Sequence, residues 1–276
     1  MKEAQYQTRS EAKKLHAIKE LIRLRRGAAR RGCGKRRGRY EIARADDGEH
    51  MPIEEQEKKV RTIVEIISDA QTVKTFTDKF GGGPTLYFYR KLLNARHHAR
   101  DIVDFLNDQS NLQLCYCVLG LWGMNTRRAR LKSFEAFCQA IEKARGNLIA
   151  LELAFEQGNH EQGQALGNAY EALDVMETNC KLIANAKLGH FFFPQWLMPA
   201  DGENTQRFLY GEDNQGNARV SDSKKRYREI NDFSFTVRST LDETRLAELL
   251  DEGWNATIPK VIDNAIFYAV EIGKHK

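Results

Sequence analysis

Apolar residues recur at three- and four-residue intervals through most of the chain, while runs that alternate at every second position are few. That spacing predicts helices. Between residues 53 and 76, Val60, Ile63, Val64, Ile66 and Ile67 form one stripe. A glycine turn follows, from Lys79 to Pro84, and Leu86, Phe88, Leu92 and Leu93 predict a helix over 85–96. Further helices are expected over 101–108, 111–124, 133–145, 148–156, 161–177, 223–233, 242–253 and 258–272. Residues 211–222 are polar and contain glycine, the composition of an exposed loop. The expectation is an all-α chain with one helical domain over 53–276, preceded by an extension over 1–52. At 276 residues there is enough length to bury a core without disulfides or a structural metal.

Charge changes the reading of the first 52 residues. Between Glu20 and Glu41 there is no acid, yet Arg23, Arg25, Arg26, Arg30, Arg31, Lys35, Arg36, Arg37 and Arg39 all fall there, interrupted by four glycines. The net charge of the whole chain is only +5, so without this arm the chain would be acidic. A short helix over 10–26 leading into a flexible basic arm is the expected form. Such an arm suits phosphate, because each contact releases counterions. The alternative is a solvated tail with no partner.

The five cysteines are odd in number and lack paired CxxC spacing, which points to reduced thiols and a cytoplasmic location. No signal peptide or long apolar run is present, so neither secretion nor a membrane span is expected. No set of residues has metal-ligand spacing, and no metal or other cofactor is expected.

Most of the chemistry lies in residues 181–210. This segment holds Lys187, His190, the aromatic run Phe191, Phe192, Phe193 and Trp196, and then Pro199-Ala200-Asp201 ahead of a helical pattern. Pro-x-Asp before a helix puts a carboxylate at the helix N-terminus. There Asp201 is expected to serve as a cap, and the positive helix end favours a negative charge, as an electrostatic catalyst needs. The aromatic run is expected to pack the core beneath it.

Lys187 followed by Pro199-Ala200-Asp201 resembles the second half of the helix-hairpin-helix DNA glycosylase signature. Together with Gly83-Pro84-Thr85-Leu86-Tyr87-Phe88-Tyr89, Leu121-Trp122-Gly123-Met124-Asn125 and Pro259-Lys260-Val261-Ile262-Asp263-Asn264-Ala265, it also resembles a family of bacterial and archaeal helical proteins, over about residues 80–275. The resemblance implies a monomeric DNA glycosylase acting on double-stranded DNA. It would extrude a damaged or modified base and hydrolyse its N-glycosidic bond, in repair or in defence against phage DNA with modified bases.

In that picture Asp201 is the catalytic carboxylate, and Lys187, His190, Trp122 and Tyr87 are candidates to contact the extruded nucleotide. Arg127, Arg128 and Arg130, with Arg36 and Arg37 of the arm, are candidate DNA contacts. The glycine turn before Thr85 is a further phosphate candidate or a simple chain reversal. Residues 182–187 lack the glycines with which a hairpin grips phosphate. Lys187 is therefore expected to be a phosphate contact or a surface lysine rather than a nucleophile, leaving hydrolysis without strand cleavage. Asp263 and Asn264 are weaker candidates for a second polar group, since Lys260 and Asp263 also make an ordinary helix-surface pair. Two other readings stand beside this one: a non-catalytic DNA-binding protein on a glycosylase-like scaffold, and an RNA-binding protein.

Overall fold

The protein was analysed as a computed structural model, which describes residues 53–126, 129–158, 162–178, 181–211 and 220–273. The expected helix over 10–26 and the basic arm with Arg36 and Arg37 lie outside the described residues. Residues 51–276 form one compact unit. Every regular element described is a helix, and β pairing among the described residues consists of two isolated bridges, Asn125 with Arg130 and Leu131 with Met176.

The first helices follow from side-chain caps. α1 (Ile53–Ser68) buries Val60, Ile63 and Ile67, one face of the stripe. It does not run on to residue 76, because the Asp69 carboxylate accepts from the Thr72 backbone N–H at 3.3 Å and starts α2 (Ala70–Asp78). An aspartate there competes for backbone donors and breaks the ladder. Gly81 and Gly83 take positive φ, 65° and 77°, to turn the chain into α3 (Gly83–His98). Asp101 caps α4 (Ile102–Asn107), and Asp108 caps α5 (Gln109–Leu119).

The strongly apolar run that follows continues as one wide π-type turn, Gly120–Met124, kinked at Trp122 and at Gly123, whose φ is 84°. Ser133 then caps α6 (Phe134–Gln157). Two helices were expected here, divided at Gly146 and Asn147. One forms instead, because Ala144, Leu148 and Leu151 continue a single buried stripe across the glycine. α6 packs on α7 (Gln162–Ala172), which ends earlier than the expected 177.

At the centre lies α8 (Lys181–Phe192). From Ala184 to Phe192 every residue is buried, so this helix has no solvent face. The segment 182–187, which stands where a hairpin turn would be, is helix interior. One element approaches α8 closely: a Cβ at Gly189 would lie 2.3 Å from the Tyr227 hydroxyl of α10 (Val220–Thr240). After α8 the chain runs without regular structure over 197–200 and turns into α9 (Asn204–Tyr210). α11 (Glu243–Leu249) and α12 (Ile258–Gly273) close the domain. The first half of α12, Ile258 to Ile266, is buried on all sides.

Candidate functional site

Five segments bring one polar cluster together: α3, the π turn, α8, the Asp201 turn and the start of α12. Asp201 holds its own turn. Its Oδ2 accepts from the Asn204 side-chain amide at 2.6 Å and from the Asn204 backbone N–H at 3.3 Å. Its own backbone N–H donates to the Thr205 hydroxyl at 3.0 Å. That reciprocal arrangement is a helix cap. It leaves Oδ1 without a hydrogen bond among the described residues, on a carboxylate that is only partly buried.

Of the two expectations for Lys187, a phosphate contact or a surface lysine, its burial overturns the second. Lys187 is 8% exposed, and its ammonium donates to the Trp122 carbonyl at 2.6 Å, 5.9 Å from the centre of the Trp122 ring. Among the described residues no carboxylate lies within ion-pair distance of it. Burial therefore pulls its pKa below the ordinary lysine value, with Asp201 and Asp263 opposing that shift and Lys260 adding to it. Asp201, Asp263 and Lys260 are thus close enough to sense the same charge.

Lys260 and Asp263 also depart from expectation. They pair at i,i+3, but in the interior and not on the surface. Each is 9% exposed, and Lys260 Nζ donates to Asp263 Oδ2 at 2.6 Å and to Asn264 Oδ1 at 2.7 Å. Burial raises the Asp263 pKa, and Lys260 opposes it. The Lys260 ammonium lies 5.7 Å from the Trp122 ring centre and 6.0 Å from that of Trp254. Asn264 is fixed by bonds from its amide to the Trp254 carbonyl at 3.2 Å and to Asn255 at 2.9 Å.

His190 supports this cluster from below and is not placed to touch a ligand. It is fully buried, and both ring nitrogens are engaged. The Leu197 carbonyl, 2.8 Å from Nδ1, can only accept, so Nδ1 carries the proton and Nε2 accepts from the Tyr89 hydroxyl at 2.7 Å. Burial lowers the His190 pKa to about 3, and the ring stays neutral. Tyr89 in turn packs against both tryptophans, with ring centres 5.0 Å from Trp122 and 6.1 Å from Trp254.

The other candidates are scattered. Tyr87 is 55% exposed on the outer side of α3, with the Lys91 ammonium 5.0 Å over its ring. Arg130 is exposed and 3.7 Å from Glu177, a surface pair that contributes little. Arg127 and Arg128 lie outside the described residues. Phe191, Phe192 and Phe193 are buried in the core.

Sequence reasoning passed over Tyr89, Trp254 and the depth of Lys260. One signal was available for the last: a lysine and an aspartate set among Ile258, Pro259, Val261, Ile262, Ala265 and Ile266 interrupt an otherwise apolar helix. No three-residue grouping of His, Cys, Asp or Glu among the described residues could hold a metal ion, and no described helix is long and apolar enough to cross a membrane. Comparison of the chain with protein-family models, with curated proteins and with solved structures finds no match.

Proposed function

We propose that the protein is a DNA glycosylase that hydrolyses the N-glycosidic bond of an extruded, modified or damaged base. The observation that carries this reading is that Asp201 and Lys187 stand in one polar cluster without forming an ion pair. A partly exposed carboxylate keeps one oxygen free, and a buried ammonium without a counter-ion sits within its field. The chemistry needs both signs of charge. As the C1′–N bond breaks, its electron pair leaves with the base and the sugar becomes an oxocarbenium ion. The free oxygen of Asp201 stabilises that cation and takes a proton from the attacking water, whose oxygen bonds to C1′. The ammonium of Lys187 stabilises the negative charge on the departing base, which then takes up a proton. Such fixed charges act strongly where water is excluded.

The test is release of base from double-stranded DNAs carrying natural, damaged and phage-type modified bases, read as alkali-labile sites and by mass spectrometry of the freed bases. Asp201→Asn keeps size and capping ability but deletes the charge, and should slow release by about a hundredfold or more while preserving fold and DNA affinity. Wild-type release by that variant would remove Asp201 from the chemistry. The helical character of residues 182–187, with no hairpin there to grip phosphate, favours a second reading: a DNA-binding protein without catalysis. Tight DNA binding with no base released from any substrate would favour it.

A further inference from the structure

Burying an ion pair seldom stabilises a protein. An apolar pair of similar volume does as well or better, so a buried pair points to a role beyond stability. Lys260 and Asp263 are such a pair, on a helix half whose residues from Ile258 to Ile266 are all buried. Both keep unused capacity. An ammonium has three N–H donors, and Lys260 spends two of them, on Asp263 and Asn264. Asp263 spends Oδ2 on Lys260, while Oδ1 makes no hydrogen bond among the described residues. The side chains keep 11% and 12% of their surface exposed, so the pair retains a narrow opening to solvent.

Its walls are aromatic. The Lys260 ammonium lies 5.7 Å from the Trp122 ring centre and 6.0 Å from that of Trp254, both tryptophans are only partly buried, and each takes part in a polar bond. Trp254 Nε1 donates to the Gly81 carbonyl at 2.8 Å, and the Trp122 carbonyl holds Lys187. Asn264 is locked by Asn255, whose amide also donates to Asp251 at 2.9 Å and to Thr77 at 3.0 Å. The spare donor and acceptor therefore have a rigid frame.

Building on the glycosylase reading, we infer that the Lys260–Asp263 pair beside Trp122 and Trp254 recognises the base itself: a planar heteroaromatic ring presenting an N–H donor beside a carbonyl or ring-nitrogen acceptor. The acceptor takes the third Lys260 N–H, and the ring N–H gives its hydrogen to Asp263 Oδ1. The indoles supply the stacking surface, which accepts many ring types, and the pair selects by hydrogen-bonding edge. A ring methylated at that nitrogen would leave Asp263 Oδ1 facing a methyl group.

Fluorescence quenching tests this on the full chain carrying Trp196→Phe. That tryptophan stacks on Phe155 and is not one of the two walls; its removal leaves Trp122 and Trp254 of the three present. The probes are N1-methyluracil and N9-methylhypoxanthine, whose glycosidic nitrogen is blocked as it is in DNA, compared with the same rings also methylated at the recognised nitrogen, 1,3-dimethyluracil and 1,9-dimethylhypoxanthine. Saturable quenching by the singly methylated bases at up to millimolar concentration is expected, with affinity about tenfold weaker for the doubly methylated forms. Replacing the pair by Lys260→Met with Asp263→Leu should keep the helical spectrum and thermal midpoint but abolish quenching. Should that double variant not fold, Asp263→Asn keeps an oxygen for Lys260 and turns the free acceptor into a donor, with a similar tenfold loss expected. Absence of quenching by every base, equal affinity for the doubly methylated forms, or unchanged binding by the Asp263 variants would overturn the inference. Base binding without abasic-site formation would sink the glycosylase reading alone. Abasic-site formation undisturbed by the double variant would sink the base-recognition role alone.

Discussion

His190 shows how one buried side chain couples stability to pH. In the fold its Nδ1–H is committed to the Leu197 carbonyl and its Nε2 to the Tyr89 hydroxyl, so the ring takes a second proton only near pH 3. In the unfolded chain it does so near about pH 6.5. Between those values the unfolded state binds the extra proton. Stability is therefore whole above about pH 6.5 and is lost as pH falls towards 3, by on the order of 5 kcal/mol from this residue. His190→Gln can replace both hydrogen bonds without titrating. Urea unfolding between pH 7 and 4 should show the gap between wild type and this variant narrowing as the pH falls; a constant gap would show that His190 does not carry the proton linkage. At Lys187 the decision concerns nucleophilicity. Desolvation brings its amine nearer the form that attacks a sugar aldehyde. With Nζ held by the Trp122 carbonyl, the expected product is nonetheless an abasic site with no covalent enzyme adduct. Borohydride decides: a protein–DNA cross-link that disappears in Lys187→Ala would make the amine the nucleophile.

At the scale of elements, two helical glycines have opposite meanings. Gly146 lies in the interior of α6 with nothing within 4 Å of a Cβ added there. Gly146→Ala should stabilise by about 1 kcal/mol, measured by denaturant unfolding, because alanine loses less backbone entropy on entering a helix. Gly189 lets α8 approach α10, and a Cβ there would meet the Tyr227 hydroxyl at 2.3 Å and Leu197 Cδ1 at 3.1 Å. Gly189→Ala should cost about 1–3 kcal/mol by overpacking. Pairing it with Tyr227→Phe should recover part of that loss, since the nearest clash is with the hydroxyl. No recovery in the double mutant would show that the strain comes from the backbone or Leu197.

The whole molecule joins a helical domain with a buried charge cluster to a chain start dense in arginine. Removing residues 1–45 takes away all nine basic residues of the arm. The truncated protein should bind DNA more weakly, and log affinity should fall less steeply with log salt, while the circular dichroism of the helices is nearly unchanged. For every phosphate that the arm no longer neutralises, the slope becomes shallower by about 0.9 on duplex DNA. A slope equal to that of the full chain would exclude the arm from DNA binding. The same comparison with RNA shows whether the arm distinguishes the two.

Several features were legible from residue order alone because they depend on neighbours a few positions away. The three-to-four spacing of Val60, Ile63 and Ile67 specifies a helix whatever it packs on, and Asp101, Asp108 and Ser133 cap the helices that begin beside them. The Pro-x-Asp turn likewise marks Asp201, whose capping bonds span only four residues. Local pattern failed where a distant partner decides. Gly146 was expected to break a helix, but the stripe from Ala144 to Leu151 carries α6 through it. Lys187 and Lys260 sit at spacings that suit a solvated face. Only the packing of α8 and α12 into the interior removes their water, and that desolvation turns two ordinary lysines into a coupled cluster with Asp201 and Asp263. Burial depends on what covers a residue, and the elements that cover these lie far away along the chain.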